Sequence, residues 1–140
     1  MKIYNAKGQI AGRLASKIAK ELLEGEKIIV VNAQDLVISG SYFNNVEKLK
    51  IRRSLTDKRN PEHNEKFPAV PYKLFKKMVR GMLPKKTSRS KAALKNLKVY
   101  DDIPQDIDQS QIINPNLEKL SLLKYVTLKK ICEAFGYKSK

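Results

Sequence analysis

KIYNAKGQIAGRLASKIAKELLEGEKIIVVN (residues 2–32) is the stretch whose reading decides the fold. Lys2 to Ala6 reads as a short strand, Gly8 marks a turn, and a helix is predicted from about Gly12 to Glu24. Leu14, Ala15, Ile18, Ala19, Leu22 and Leu23 recur there at helical spacing, and Gly25 follows as a C-terminal cap. The unbroken apolar run Ile28-Ile29-Val30-Val31 suits a strand covered on both faces. Strand, helix and buried strand in succession make a βαβ unit.

Working outward, Leu36-Val37-Ile38 before Ser39-Gly40 is a candidate third strand, followed by a helix from about Tyr42 into Lys48, Lys50, Arg52 and Arg53. Periodicity then fails between Leu55 and Pro71, where Asn60-Pro61, Pro68 and Pro71 punctuate a polar stretch, so a loop or arm is expected. Pro71 suits the first position of an amphipathic helix with Leu74, Phe75, Met78, Val79 and Met82 on one face, ending before Pro84. A further helix capped by Thr87 or Ser88 places Ala92, Ala93, Leu94 and Leu97 inward, and Lys98-Val99-Tyr100 forms a last strand. The tail reads as loop to about Asn116, with a short helix over 127–135 stopped by Gly136.

Charge is distributed very unevenly over this pattern. Sixteen of the 29 Lys and Arg residues fall between Lys48 and Lys95, against three acids, so about a third of the chain carries thirteen of the fifteen net positive charges. Such a segment repels itself unless phosphates or another anionic surface neutralise it. The partner implied is a polyanion, with Lys48, Lys50, Arg52, Arg53, Lys58, Arg59, Lys76, Lys77, Arg80 and Lys95 as candidate contacts. Lys85-Lys86-Thr87-Ser88-Arg89-Ser90-Lys91 is the densest cluster, joining four cations and three hydroxyls to a predicted helix start that favours phosphate. Tyr42, Tyr72 and Phe67 are assigned to core packing ahead of base stacking.

Other function classes find little support. The segment Gly8 to Gly12 lies where a dinucleotide loop would be but lacks the middle glycine, and no phosphate loop or nucleophile elbow is present. His63, the single imidazole, sits in the polar loop. Cys132 reads as a core residue and has no second thiol for a disulfide, which suits a reducing intracellular compartment. Asp101, Asp102, Asp106 and Asp108 match no calcium-loop spacing and read as a solvated turn. No run approaches the roughly 18 apolar residues that span a bilayer, and no secretory leader is evident. A soluble chain of 140 residues with one core and an appended basic region is expected, without cofactor, metal, membrane or small-molecule substrate. A small enzyme acting on a phosphorylated substrate and a free-standing DNA- or RNA-binding regulator are the competing classes.

Gly12-Arg13-Leu14-Ala15-Ser16, Val31-Asn32-Ala33, Ile38-Ser39-Gly40, Arg80-Gly81-Met82-Leu83-Pro84 and Leu97-Lys98-Val99-Tyr100 with Pro104 recur in an order and spacing that resemble the large-subunit ribosomal protein L-thirteen family. The resemblance runs from about residue 3 to 104, and its Arg-Gly-Met-Leu-Pro wording with Asn60-Pro61 is similar to the archaeal and eukaryotic branch. It implies a three-layer α/β/α fold around a small, mostly parallel four-stranded sheet with a basic helical and loop extension. It further implies a single domain over 1–140 with 55–71 as an arm. The function implied is that of a non-enzymatic, cytoplasmic structural constituent of the large ribosomal subunit, bound to large-subunit rRNA and to neighbouring proteins and assembled early. Carried onto this sequence, the RNA-facing residues are Arg13, Arg80, Lys85, Lys86, Arg89 and Lys91, and Gly81 is implied to permit close backbone approach.

Overall fold

The computed structural model describes residues 1–64, 67–105, 107, 109–115 and 123–138. Strand β1 (Lys2–Asn5), helix α1 (Ala11–Leu23) and strand β2 (Ile28–Val31) form the predicted βαβ unit. The strands pair in parallel, from Lys2 opposite Ile28 to Asn5 opposite Val31. β3 (Val37–Ser39) and α2 (Tyr42–Ser54) follow, then α3 (Pro71–Met82), α4 (Ser88–Lys95) and β4 (Leu97–Val99). β5 (Ile112–Ile113), β6 (Tyr125–Thr127) and α5 (Leu128–Glu133) complete the order. The main sheet runs β4-β2-β1-β5 with every pairing parallel, an α/β architecture consistent with the three-layer α/β/α class.

The core lies between the sheet and α1. Leu14, Ile18 and Leu22 meet Tyr4, Ile28, Val30, Leu97 and Val99, all buried. Each of the three helix side chains contributes on the order of 2 kcal/mol on leaving water. The apolar faces of α3 and α4 add Leu74, Phe75, Val79 and Ala93 to the same cluster. Glu21 is the buried acid among the described residues. The Tyr4 hydroxyl donates to both of its carboxylate oxygens at 2.9 Å, and Lys2 Nζ stands 3.6 Å from Oε2. Burial and that carboxylate push the Tyr4 hydroxyl up to about 12, so it remains a donor at neutral pH.

Local signals explain the helix ends. After Glu24, Gly25 takes φ +96°, a left-handed conformation that glycine adopts without steric cost, and its N–H bonds the Leu22 carbonyl. Helix α3 starts at Pro71 and receives no side-chain cap from Val70. Instead Asp101, just beyond β4, accepts from the Tyr72 N–H at 2.9 Å through Oδ1 and from the Tyr137 hydroxyl at 3.3 Å through Oδ2. Partial burial raises the Asp101 pKa, and these two donors oppose the shift. One carboxylate thus ties the end of β4, the start of α3 and the C-terminal segment together.

The structure departs from the expectations above in five places, the first being that β4 is not the last strand, since β5 and the unexpected β6 follow it. The Val37-Ile38 strand does not join the main sheet but pairs antiparallel with β6, Ile38 opposite Val126. The tail before Asn116 was expected as loop, yet Ile112 and Ile113 pair in parallel with Ile3 and Tyr4. Two residues carry no alternation to read, and the pairing is wholly non-local. Tyr42, expected in the core, is 38% exposed and packs edge-on against Phe43 with ring centroids 5.6 Å apart. Met82, the last residue of α3, and Ala92, in the middle of α4, also face solvent. Of the expected acidic cluster, Asp106 and Asp108 lie outside the described residues, as do Glu65 and Lys66 of the arm.

Residues 55–63 are exposed throughout, shaped by the 3-10 turn Pro61–His63 and by the Asp57 N–H donating to Asn64 Oδ1 at 2.6 Å. None of them enters the core cluster. Segments with so little burial open at low free-energy cost. Trypsin acting on the isolated protein is therefore expected to cut first after Lys58 or Arg59, with α1 protected. Cleavage within α1 at the same rate would show that the arm is held as firmly as the core.

Candidate nucleic-acid interface

Four successive pieces carry the cations. Helix α2 is capped by Ser41, whose hydroxyl accepts from the Asn44 N–H, and buries no residue at all. Its Lys48, Lys50, Arg52 and Arg53 are exposed, as are Lys58 and Arg59 of the arm. On α3, Arg80 is exposed while Lys76 and Lys77 are half-buried. Lys85 and Lys86 lead into α4, which carries Arg89, Lys91 and Lys95, all exposed. Arg13 is exposed near the start of α1, on a different element from the rest.

Several of these cations are positioned by aromatic rings and by main chain. Phe67 stands where the arm, α2 and α3 meet, with Lys77 Nζ 3.4 Å and the Arg52 guanidinium 5.8 Å from its centroid. Arg53 lies 4.8 Å from the centroid of Phe135, just after α5. Such stackings hold a cation by the ring quadrupole without neutralising it. Arg89 donates through Nη2 to the Leu23 carbonyl at 2.8 Å, closing the C-terminal end of α1. From sequence Arg89 reads as an outward cation able to grip a phosphate or stack on a base. The sequence carries no local signal for this link, which depends on α4 packing beside α1.

The turn before α4 has a particular shape. Lys86 takes φ +62°, a conformation rare for a residue with a side chain, and Thr87 caps the helix by accepting from the Ser90 N–H at 3.2 Å. Thr87 is thereby committed to the helix, leaving Ser88 and Ser90 as the hydroxyls of the cluster. No acid stands in the first turn of α4. Positive partial charge at the helix start and four neighbouring cations therefore accumulate with no negative charge to offset them locally. Lys73 shares the exposed side of α3 and belongs to the same charge pattern.

Among the described residues, the ion pairs gather at the N-terminal edge, joining Met1 and Lys2 to Glu21 and Glu26. Lys77 aside, no described cation between Lys48 and Lys95 pairs with a carboxylate there. The acids after β4 are engaged elsewhere: Asp101 as described, and Asp102 by the Gln34 side-chain amide. Cys132 is buried, and burial, with Asp101 and Glu133 adding, pushes its thiol up to about 12, so it stays a neutral core group.

A sequence model of the Ribosomal protein L13 family matches residues 1–106. The chain belongs to that family. It is 40% identical over 140 residues to the large ribosomal subunit protein uL13 of Archaeoglobus fulgidus, covering 97% of this chain and 88% of that one. The uL13 protein of Methanococcoides burtonii is 38% identical over 141 residues, with 99% of each chain covered. That of Dictyostelium discoideum is 37% identical, with 97% of this chain and 75% of the relative covered. The match to the archaeal and eukaryotic relatives extends through β5, β6 and α5, beyond the span of the family model.

Lys86 at positive φ and the longer helix set the turn before α4 apart from the start of α5, which Thr127 also caps, and a charge-matched pair of variants reads whether that difference matters. Lys85, Lys86, Arg89 and Lys91 changed to Gln are expected to weaken binding to a large-subunit rRNA fragment several-fold more than Lys124, Lys129, Lys130 and Lys138 changed to Gln. Equal losses at one salt concentration would mean that charge alone matters. Thermal melts of both variants separate any loss of the Arg89 to Leu23 link from loss of binding.

Proposed function

We propose that this chain is a structural, non-enzymatic constituent of the cytoplasmic large ribosomal subunit, that it binds large-subunit rRNA through the cations of α2, the arm, α3 and α4, and that it touches neighbouring subunit proteins. In this reading residues 1–140 form one unit with 55–71 as its arm. The observation that carries it is the uncompensated charge: a net thirteen positive charges in about a third of the chain, on elements that leave nearly all of their cations exposed. Family membership supports rRNA as the partner of that charge, since the relatives are named as large-subunit proteins.

The parts divide the work. The sheet and α1 provide a rigid base, α3 and α4 present Arg80 and the Lys85 to Lys91 cluster from that base, and α2 with the arm extends the charge beyond it. Gly81 fits this division. A side chain built there would meet nothing within 4 Å among the described residues, so packing among them does not require glycine, while the missing side chain lets a sugar-phosphate backbone come close to α3. Arg13 and Gly12 offer a second, smaller patch of the same kind at the start of α1.

Sedimentation of a native lysate at moderate salt tests this directly. The protein is expected in the large-subunit fraction and is expected to leave it as salt is raised. Recovery in the soluble fraction at every salt concentration would favour a free-standing nucleic-acid-binding regulator instead.

A further inference from the structure

At the junction of β6 with the start of α2 the surface changes character. Phe43 is 81% exposed, Leu123 fully exposed and Tyr125 60% exposed, and together with Tyr42 they line an open groove of about 680 Å³. Scattered exposed apolar side chains are ordinary, but a contiguous group lining one groove marks a contact surface. Lys124 and Lys130 also line it, and among the described residues no carboxylate does. These residues are not accounted for by the phosphate-binding role proposed above.

Beside the groove runs an open strand edge. The Gly40 N–H bonds the Lys124 carbonyl at 2.9 Å and the Leu128 N–H bonds the Leu36 carbonyl at 2.8 Å, which makes Ile38 and Val126 the hydrogen-bonded pair between them. In an antiparallel ladder the intervening residues direct their main-chain groups the other way. The N–H and C=O of Tyr125 and the N–H of Thr127 therefore face away from β3, and β6 has no second strand partner among the described residues.

We propose that this groove and the free edge of β6 bind an extended apolar segment of a neighbouring large-subunit protein, flanked by Asp or Glu, which adds a strand to β6. This inference rests on the large-subunit reading above. Main-chain bonds to β6 supply the affinity, the aromatic groove takes alternate side chains, and Lys124 and Lys130 select the acidic flank. RNA is the poorer occupant. The exposed rings could take a base face as well as a side chain, but the edge of β6 offers both N–H donors and a C=O acceptor, which an extended peptide matches and a phosphate backbone, an acceptor only, does not.

The test uses full-length protein with the substitution Phe43→p-benzoylphenylalanine or Tyr125→p-benzoylphenylalanine, assembled into large subunits in the cell, purified with them and irradiated. The expected product is a cross-link from both positions to a single peptide of another large-subunit protein, with apolar residues at the cross-link and an acid within a few positions. Lys124→Glu together with Lys130→Glu is expected to reduce that product about fivefold. Cross-links to rRNA, to a second copy of this chain or to nothing overturn the proposal, as does a yield unchanged by the charge reversal. Absence of the unsubstituted protein from the large-subunit fraction would overturn the functional reading and this inference with it. Presence there with cross-links to RNA overturns this inference alone.

Discussion

The parallel pairing of β1 with β2, closed by α1 packed across both, is the contact on which every other element rests. Parallel strands need a crossover and burial on both faces, and α1 answers the first requirement while Leu14, Ile18 and Leu22 answer half of the second. β4 extends the sheet from β2 and β5 from β1, so both additions take their register from that pair. α3 and α4 in turn dock on α1. The basic elements could not support themselves: α2 buries no residue and α4 buries only Ala93.

That dependence explains where the charge stands. A core supplied largely by the first forty residues and by one face of α3 leaves the segment from Lys48 to Lys95 free to carry cations at little cost to folding, provided that they stay solvated. The chain then fixes their direction with few contacts. Phe67 gathers Arg52 and Lys77, Phe135 holds Arg53, Arg89 reaches the end of α1, and Asp101 pins the start of α3. Stacking on rings and bonding to carbonyls orients a cation without cancelling its charge, whereas pairing with carboxylates would cancel the long-range attraction for phosphate. The groove beside β6, apolar and rimmed by lysine, is a surface of another kind and calls for a partner of another kind.

Much of this could be read from residues alone, for identifiable reasons. The βαβ unit was legible because six apolar positions in α1 keep helical spacing and because Ile28 to Val31 is apolar without a break. Pro71 and Thr87 marked their helix starts because each has a local role there, a fixed φ in one case and a hydroxyl cap in the other. β5 was not legible, since two isoleucines gain strand identity only from Ile3 and Tyr4 far away in sequence. Nor was the placing of β3, whose apolar pattern suits either sheet until β6 is seen beside it. At the interface the cations were plain from the charge count. Their anchors were not, because the link from Arg53 to Phe135 and that from Arg89 to Leu23 arise only when distant segments pack.

The central claim is that exposed, unneutralised cations bind a phosphate backbone, and the salt dependence of binding to a large-subunit rRNA fragment measures this most directly. If about eight of the clustered cations meet phosphates, the slope of log K against log salt should be about −6 to −7, at roughly 0.7–0.9 per contact. A slope shallower than about −2 would contradict the account, because counterion release from so few contacts would leave most of the basic segment without a function.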